Sequence, residues 1–299
     1  MYSRRTAYSC IITAAACWGI IGVFSKHLSS IGFSILQLVS LRAFFSVFAI
    51  LIFLLVRNKK LPRIKAEDSI YFAGTGIISF VFFNWCYFIS VNATSLSVAA
   101  ILLYTAPAFV TVFSSILFRE KMTRRKIAAL LLTFIGCALV SLLNNGASRG
   151  ISITGILAGL GAGFGYALYS IFGRYALMKY DSYTVTFYTF VFASVFLLPT
   201  SNLPVTLELL GNTEALYYSA AISLISTVIP FLLYTKGLSM IETGKASIIA
   251  TLEPVVATMA GILLFSEPVT PYKITGILLV VLAISIMDGK EKKSMDIEL

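Results

Sequence analysis

Long apolar runs separated by short polar interruptions follow one another along nearly the whole 299-residue chain. A helix that crosses the hydrocarbon core of a bilayer needs about 20 mostly apolar residues. On that measure the pattern predicts ten spanning helices, at approximately 7–26, 33–56, 69–91, 95–118, 127–143, 152–173, 182–199, 215–235, 245–265 and 272–288. The runs at 127–143 and 182–199 lie near the short limit. The connections are brief, so no soluble domain is inserted. The predicted fold class is all-α, an integral membrane protein with ten transmembrane helices.

One stretch organises this pattern. Residues 251–270 read TLEPVVATMAGILLFSEPVT, and 147 positions earlier residues 104–123 read YTAPAFVTVFSSILFREKMT. Pro107 matches Pro254, Thr111 matches Thr258, Leu117-Phe118 matches Leu264-Phe265, Glu120 matches Glu267, and Thr123 matches Thr270. Lys126 and Lys273 extend the series to seven identities in 23 ungapped positions, which reads as an internal repeat. Trp18…Lys26 falls on Tyr166…Arg174 with a register offset of one residue. Five helices per repeat is an odd number, so the two halves are expected to sit inverted in the bilayer. The expected units are 1–145 (helices 1–5), 146–288 (helices 6–10) and a mixed-charge tail, 289–299, expected to be disordered near anionic headgroups. Inverted repeats are a signature of secondary transporters, in which two halves exchange conformations around a midplane site.

Composition agrees with a lipid solvent. Charged residues are 12% of the chain and hydrophobic residues 58%, with a mean hydropathy of +0.91, whereas a soluble domain carries about 25% charge. The net charge of +10 does not signal nucleic acid, because the basic residues sit in short loops between apolar runs. Of the 23 lysines and arginines, 19 fall on the side of the N terminus, Lys26, Arg149 and Lys273 fall opposite, and Arg42 lies within a span. By the positive-inside rule both termini are expected in the cytoplasm. The run after Arg4-Arg5 has no clear cleavage site and is expected to remain as the first span. Cys10, Cys17, Cys86 and Cys137 lie in or beside apolar runs without CxxC spacing, which suits small hydrophobes rather than a disulfide or a metal site.

The chain resembles the drug/metabolite transporter superfamily, in particular its ten-span EamA-type branch. The resemblance is carried by Trp18-Gly19 with Lys26 in helix 1, Leu41-Arg42-Ala43 in helix 2, AAILLYTAPAFV closed by Glu120, and LEPVVATMAGILLFSE. It covers essentially everything before residue 289, with Arg119-Glu120 where the family often shows Gly-Glu. The resemblance implies secondary active transport of a small metabolite, an amino acid or related compound, across the cytoplasmic membrane without ATP hydrolysis and with a mild preference for export. No GxxxxGK[ST] phosphate loop occurs, no cofactor is expected, and no nucleophile–base pair or metal cluster points to an enzyme. A membrane-embedded enzyme, or a passive channel or lipid scramblase, remains the alternative. Two inverted halves in one polypeptide favour a monomer.

Candidate site residues follow from polarity at depth. A charge at a helix centre costs about 2.5–3.5 kcal/mol on the insertion scale, so each such residue needs a reason to be there. Glu253 lies deep in helix 9 beside Pro254, which frees a carbonyl one turn earlier. It could bind a substrate amine, exchange a proton, or accept hydrogen bonds that lock the fold. Arg42 could pair with a substrate carboxylate or with carbonyls of neighbouring helices. Lys26 could gate or bind substrate, or snorkel to the headgroups. His27, the one histidine, is expected to be solvated. Trp18, Asn84, Tyr87, Tyr104, Tyr166 and Tyr169 could line an apolar pocket with a few placed polar groups, or simply pack. Pro107 and Pro254 are expected to kink their helices as equivalent hinges. Gly155, Gly159 and Gly163 recur at four-residue spacing, a face for close helix approach.

Overall fold

A computed structural model describes residues 4–56, 63–141 and 152–288. Among these residues the regular structure is all helical, with no strand. The expectations for Arg57, Lys59, Lys60, Arg149 and the tail 289–299 lie outside the described residues. Eight helices are long and apolar enough to cross a membrane: α1 Arg4–Ile31, α2 Ile35–Val56, α3 Ala66–Ala93, α4 Leu96–Leu117, and then α6 Ile153–Leu177, α7 Ser182–Thr200, α8 Thr213–Leu238 and α9 Thr243–Phe265. α5, Arg124–Ser141, has 18 residues but begins with three basic ones. α10, Pro271–Asp288, is apolar and shorter. The fold is that of an all-α membrane protein. A short helix at Leu203–Leu210 lies within the stretch read from sequence as a loop.

The interior is built by α1, α2, α3, α6, α7, α8 and the first half of α9. Their buried side chains, among them Ile11, Trp18, Phe80, Phe190, Phe231 and Leu238, form one continuous cluster. The outward surface carries exposed Leu, Ile and Phe in every helix direction, as expected where the solvent is hydrocarbon. α6 presents its glycines to α3 and α4: a Cβ on Gly155 would come within 2.5 Å of Thr94, and one on Gly163 within 2.5 Å of the Thr105 hydroxyl. The four-residue glycine face is therefore a close-packing face.

Two helices are discontinuous. α4 consists of Leu96–Leu103 and Ala106–Leu117, and α9 of Thr243–Ala250 and Glu253–Phe265. Pro107 and Pro254 each stand in the first turn of the second half-helix, where a missing N–H breaks no internal hydrogen bond. One turn on, Thr111 and Thr258 hydroxyls donate to the Pro107 and Pro254 carbonyls at 2.7 and 2.8 Å. Both helices then reverse through a left-handed residue, Arg119 (φ 54°) and Ser266 (φ 53°). The next amides, of Glu120 and Glu267, donate to the carbonyls of Ser114 and Gly261 at 3.3 and 3.2 Å. The two hairpins differ at the residue beside the glutamate carboxylate. The Ser114 hydroxyl donates to the Glu120 carboxylate at 3.0 Å, whereas Gly261 offers no side chain and the Glu267 carboxylate lies against it.

Two further departures from regular helix are not signalled by hydropathy. α1 breaks at Ile20 into Arg4–Gly19 and Ile21–Ile31, and it continues past Lys26, where the apolar pattern stops. π-helical segments interrupt α3 at Gly74–Val81 and α8 at Leu224–Val228. Such segments widen a helix locally and are frequent near functional sites. At the edge of the bundle α5 and α10 pack directly on one another, and a Cβ on Gly276 would come within 2.6 Å of the Gly136 carbonyl oxygen. Backbone leaves no room to adjust there. Gly276→Ala is expected to lower the unfolding temperature in detergent, and Gly276→Leu to lower it further, by about 1–3 kcal/mol of stability.

Candidate functional site

A cavity of about 470 Å³ runs between α1, α3, α4, α5 and α9, within the 300–1,000 Å³ typical of small-molecule sites. Its floor is made by Trp18, Tyr87, Tyr104 and Glu253, its walls include Gly22, Ala100 and Thr258, and its mouth carries Lys26, Phe265 and Glu267. The mouth lies at the ends of α1 and α9, on the side of the bundle opposite the N terminus. Glu253 stands about 18 Å below that end at 1.5 Å rise per residue, and roughly 15 Å from the start of α9. It is thus near mid-depth.

The break in α9 explains this placement. Thr251 and Leu252 interrupt the helix, so Glu253 becomes the first residue of a new half-helix. A carboxylate there faces the positive end of the helix dipole. α1 is brought against the same point by Gly19: a Cβ on it would lie 2.7 Å from the Glu253 carbonyl oxygen and 2.6 Å from the Val256 Cβ. The Tyr166 hydroxyl donates to Glu253 Oε2 at 3.3 Å, and Trp18 and Phe83 meet the Tyr166 ring edge-on. Below this layer lies a small void lined by Trp18, Tyr166, Tyr169, Ser170 and Tyr234. It is tied shut by hydrogen bonds of 2.7 Å between Ser170 and Tyr234 and between Tyr169 and Thr235. The cavity is open at one end and closed at the other.

The residues singled out from sequence divide accordingly. Trp18, Lys26, Tyr87, Tyr104, Glu253 and Pro254 line the cavity. Tyr166 holds the Glu253 carboxylate, Tyr169 belongs to the layer beneath, and Pro107 lines a second small void with Tyr104 and Tyr166. Arg42 and Asn84 stand apart. The Arg42 Nε donates to the Thr227 hydroxyl in the π-helical segment of α8 at 2.9 Å, and its guanidinium lies over the Phe80 ring. The Asn84 amide donates to the Phe80 carbonyl of its own helix. The Lys26 ammonium sits 3.9 Å from the Phe265 ring centroid at the cavity mouth. His27 is not simply solvated, since Nε2 lies 2.9 Å from Glu214 and its ring stacks on Tyr218.

The closed end is held by a cluster that polarity along the chain does not mark. Glu120 Oε1 accepts the Thr243 amide at 2.5 Å, and Oε2 accepts the Gly244 amide at 3.0 Å. The α4–α5 hairpin thereby caps the N terminus of α9. Lys126, 1% exposed, places its ammonium 3.4 Å from Glu120 and 2.7 Å from Glu242. Arg174 closes the same face by donating to the carbonyls of Leu238 and Ile241 at 2.7 and 3.3 Å. Sequence reading noted Glu120 and Lys126 as repeat landmarks only, because backbone donors more than a hundred residues away leave no mark on composition. Burial works to raise the Glu120 carboxyl, but the Gly244 and Thr243 amides, with Lys126 and Ser114, hold it below the ordinary carboxylate range. Its stabilising contribution is therefore complete above the unfolded value of about 4.3 and lost as pH falls through the lower folded value. The unfolding temperature is expected to drop below about pH 4, and Glu120→Gln to remove that part of the pH dependence.

A sequence profile of the EamA-like transporter family matches residues 5–142 and, a second time, residues 153–287. An uncharacterized transporter of Archaeoglobus fulgidus is 26% identical over 273 residues, covering 91% of this chain and 92% of that protein. A second uncharacterized transporter of the same organism is 31% identical over 197 residues, 66% of this chain and 69% of that one. The threonine/homoserine exporter RhtA of Escherichia coli is 25% identical over 193 residues, 64% of this chain and 62% of the exporter. One solved crystal structure superimposes with a TM-score of 0.77 over 96% of this chain and 97% of its own, at 16% identity, a likeness of fold.

Proposed function

The chain belongs to the EamA-like transporter family, and on that premise we propose that it exports a small amine-bearing metabolite, an amino acid or a related compound, by alternating access. The observation that carries the reading is Glu253. Its carboxylate stands at a helix break on the floor of a cavity that opens on one side only. An ammonium group is the natural partner for a carboxylate at that depth, and the aromatic faces of Trp18, Tyr87 and Tyr104 around it attract cations as well. The related exporter acts on threonine and homoserine by its name, and both of those molecules carry such an amine.

In this reading residues 1–145 and 146–288 are inverted halves that rock about the cavity, with α4 and α9 as the broken helices that form its floor. The shared construction of the α4–α5 and α9–α10 hairpins supports that relation. Both termini face the cytoplasm, so the cavity faces outward. The protein works as a monomer in the cytoplasmic membrane, and a proton occupies Glu253 when substrate does not. Tyr166 orients the carboxylate, and Arg42 serves to join α2 to α8.

Counterflow in proteoliposomes tests the proposal. The native protein is expected to show saturable exchange of one or more amino acids or amines. Glu253→Gln, with an unchanged unfolding temperature, is expected to lower that exchange at least roughly tenfold, the size of one lost charge-assisted hydrogen bond. Tyr166→Phe is expected to raise the half-saturating concentration several-fold with a smaller effect on maximal rate. Exchange that survives Glu253→Gln while pH-gradient-driven uptake disappears would assign the carboxylate to the proton alone. Flux that rises linearly without saturation would replace the carrier by a channel.

A further inference from the structure

The Glu120 cluster and its repeat counterpart are in different states. On the closed face Glu120 caps the amides of Thr243 and Gly244, the first two residues of α9. A shift of 147 positions carries Glu120 to Glu267, Lys126 to Lys273, and Thr243-Gly244 to Leu96-Ser97, the first two residues of α4. The equivalent pair is present on the open face: Lys273, 3% exposed, lies 2.8 Å from Glu267. Glu267, Leu96 and Ser97 all line the open cavity. The carboxylate and the helix start that it would cap thus border the same open cavity.

The basic residue of the first helix in each half behaves in the same way. Arg174 on the closed face is bound to the carbonyls of Leu238 and Ile241. Lys26, which the repeat sets against Arg174, stands exposed over Phe265 at the open mouth. The void beneath repeats the contrast, since Ser247 lines the closed side while Ala100, 147 positions earlier, lines the open one. On one face the carboxylate holds both its lysine and a helix start, whereas on the other Glu267 has Lys273 as its hydrogen-bond partner and the helix-1 cation lies over Phe265.

We propose that Glu267 is the latch of the open mouth: in the opposite state its carboxylate caps the amides of Leu96 and Ser97, as Glu120 now caps Thr243 and Gly244, and the two caps form alternately. The proposal rests on the alternating-access reading and specifies how access to the Glu253 site is controlled. A carboxylate on the N terminus of a helix is favoured by the helix dipole and by the otherwise unsatisfied amides of its first turn. Capping one helix start closes one mouth. The rocking that closes it draws the other carboxylate away from its own helix start.

The test uses the full chain in nanodiscs, where both faces meet solvent, with the four native cysteines replaced by alanine. Ala100→Cys and Ser247→Cys report the two sides through their rates of reaction with a small hydrophilic maleimide. Without further change Ala100→Cys is expected to react faster. Glu120→Gln is expected to speed Ser247→Cys roughly tenfold or more and to slow Ala100→Cys. Glu267→Gln added to Glu120→Gln is expected to return both rates toward their starting values. Thr243→Pro and Leu96→Pro remove one amide donor each at a first-turn position that accepts proline. They are expected to follow Glu120→Gln and Glu267→Gln, and they keep the test valid if loss of a carboxylate impairs folding.

If the reporters trade reactivity in Glu120→Gln or Thr243→Pro but neither Glu267→Gln nor Leu96→Pro reverses the shift, Glu267 is not a latch, although alternating access stands. If Glu120→Gln or Thr243→Pro opens Ser247→Cys without slowing Ala100→Cys, both mouths open together and the alternating-access reading itself is wrong.

Discussion

In hydrocarbon, a backbone N–H or C=O that finds no partner within the protein finds none at all. This constraint explains why the described regular structure is all helical, and also where the helices break. α4 and α9 break at mid-depth where a cavity lies alongside and a hydroxyl in the break serves a freed carbonyl, Thr105 donating to Leu102 at 2.6 Å and Thr251 to Ile248 at 2.5 Å. The π-helical segments are anchored by side chains too: Thr227 accepts from Arg42, and the Thr75 hydroxyl meets that of Thr189 at 2.7 Å. The breaks in α1, α4 and α9 all border the cavity between α1, α4 and α9.

The same constraint orders the charges. Lipid-facing surfaces carry almost none, while the described ion pairs gather at the ends of helices. Lys126 and Lys273 are nearly fully buried, yet each is held by a carboxylate. On the side of the N terminus, Asp68 accepts the Lys179 ammonium at 2.5 Å and the Tyr180 hydroxyl at 2.6 Å, tying the start of α3 to the α6–α7 connection. Glu253 differs from all of these. No ion pair among the described residues involves it, and a tyrosine hydroxyl is its hydrogen-bond partner. A carboxylate left so lightly engaged, beside a cavity rather than a neighbouring helix, is available to something that comes and goes.

Much of this was legible in the sequence because lipid imposes simple rules. Ten apolar runs, the 147-residue shift and a glutamate before a mid-helix proline are all one-dimensional signals, and they located the helices, the two hairpins and Glu253. What escaped was pairing at long range. Nothing near Glu120 announces that its partners are the amides of Thr243 and Gly244, since a backbone donor has no composition. The break at Ile20 and the π-helical turns are likewise invisible to hydropathy, which is the same for any helical hydrogen-bond register. Sequence leaves Lys26 open between gating, substrate binding and the headgroups, and reads His27 as solvated, because charge ends an apolar run there. In the fold Lys26 lies at a cavity mouth and His27 meets the Glu214 carboxylate. Arg42 shows the converse limit, a deep charge whose partner is a hydroxyl 185 residues away.

One difference between the two hairpins, Ser114 where the second has Gly261, bears on how the molecule rests when empty. The Ser114 hydroxyl adds one hydrogen bond to a charged acceptor, and such a bond is worth about 1.5–3 kcal/mol. Its counterpart has no atom with which to make it. In the alternating-access reading that side-chain oxygen would bias the idle orientation, together with Glu242, which holds Lys126 on the closed face and has Ser95 as its counterpart, and it would do so at a distance from the binding site. Preference of facing and preference for substrate would rest on different residues, free to drift apart as the two halves diverge.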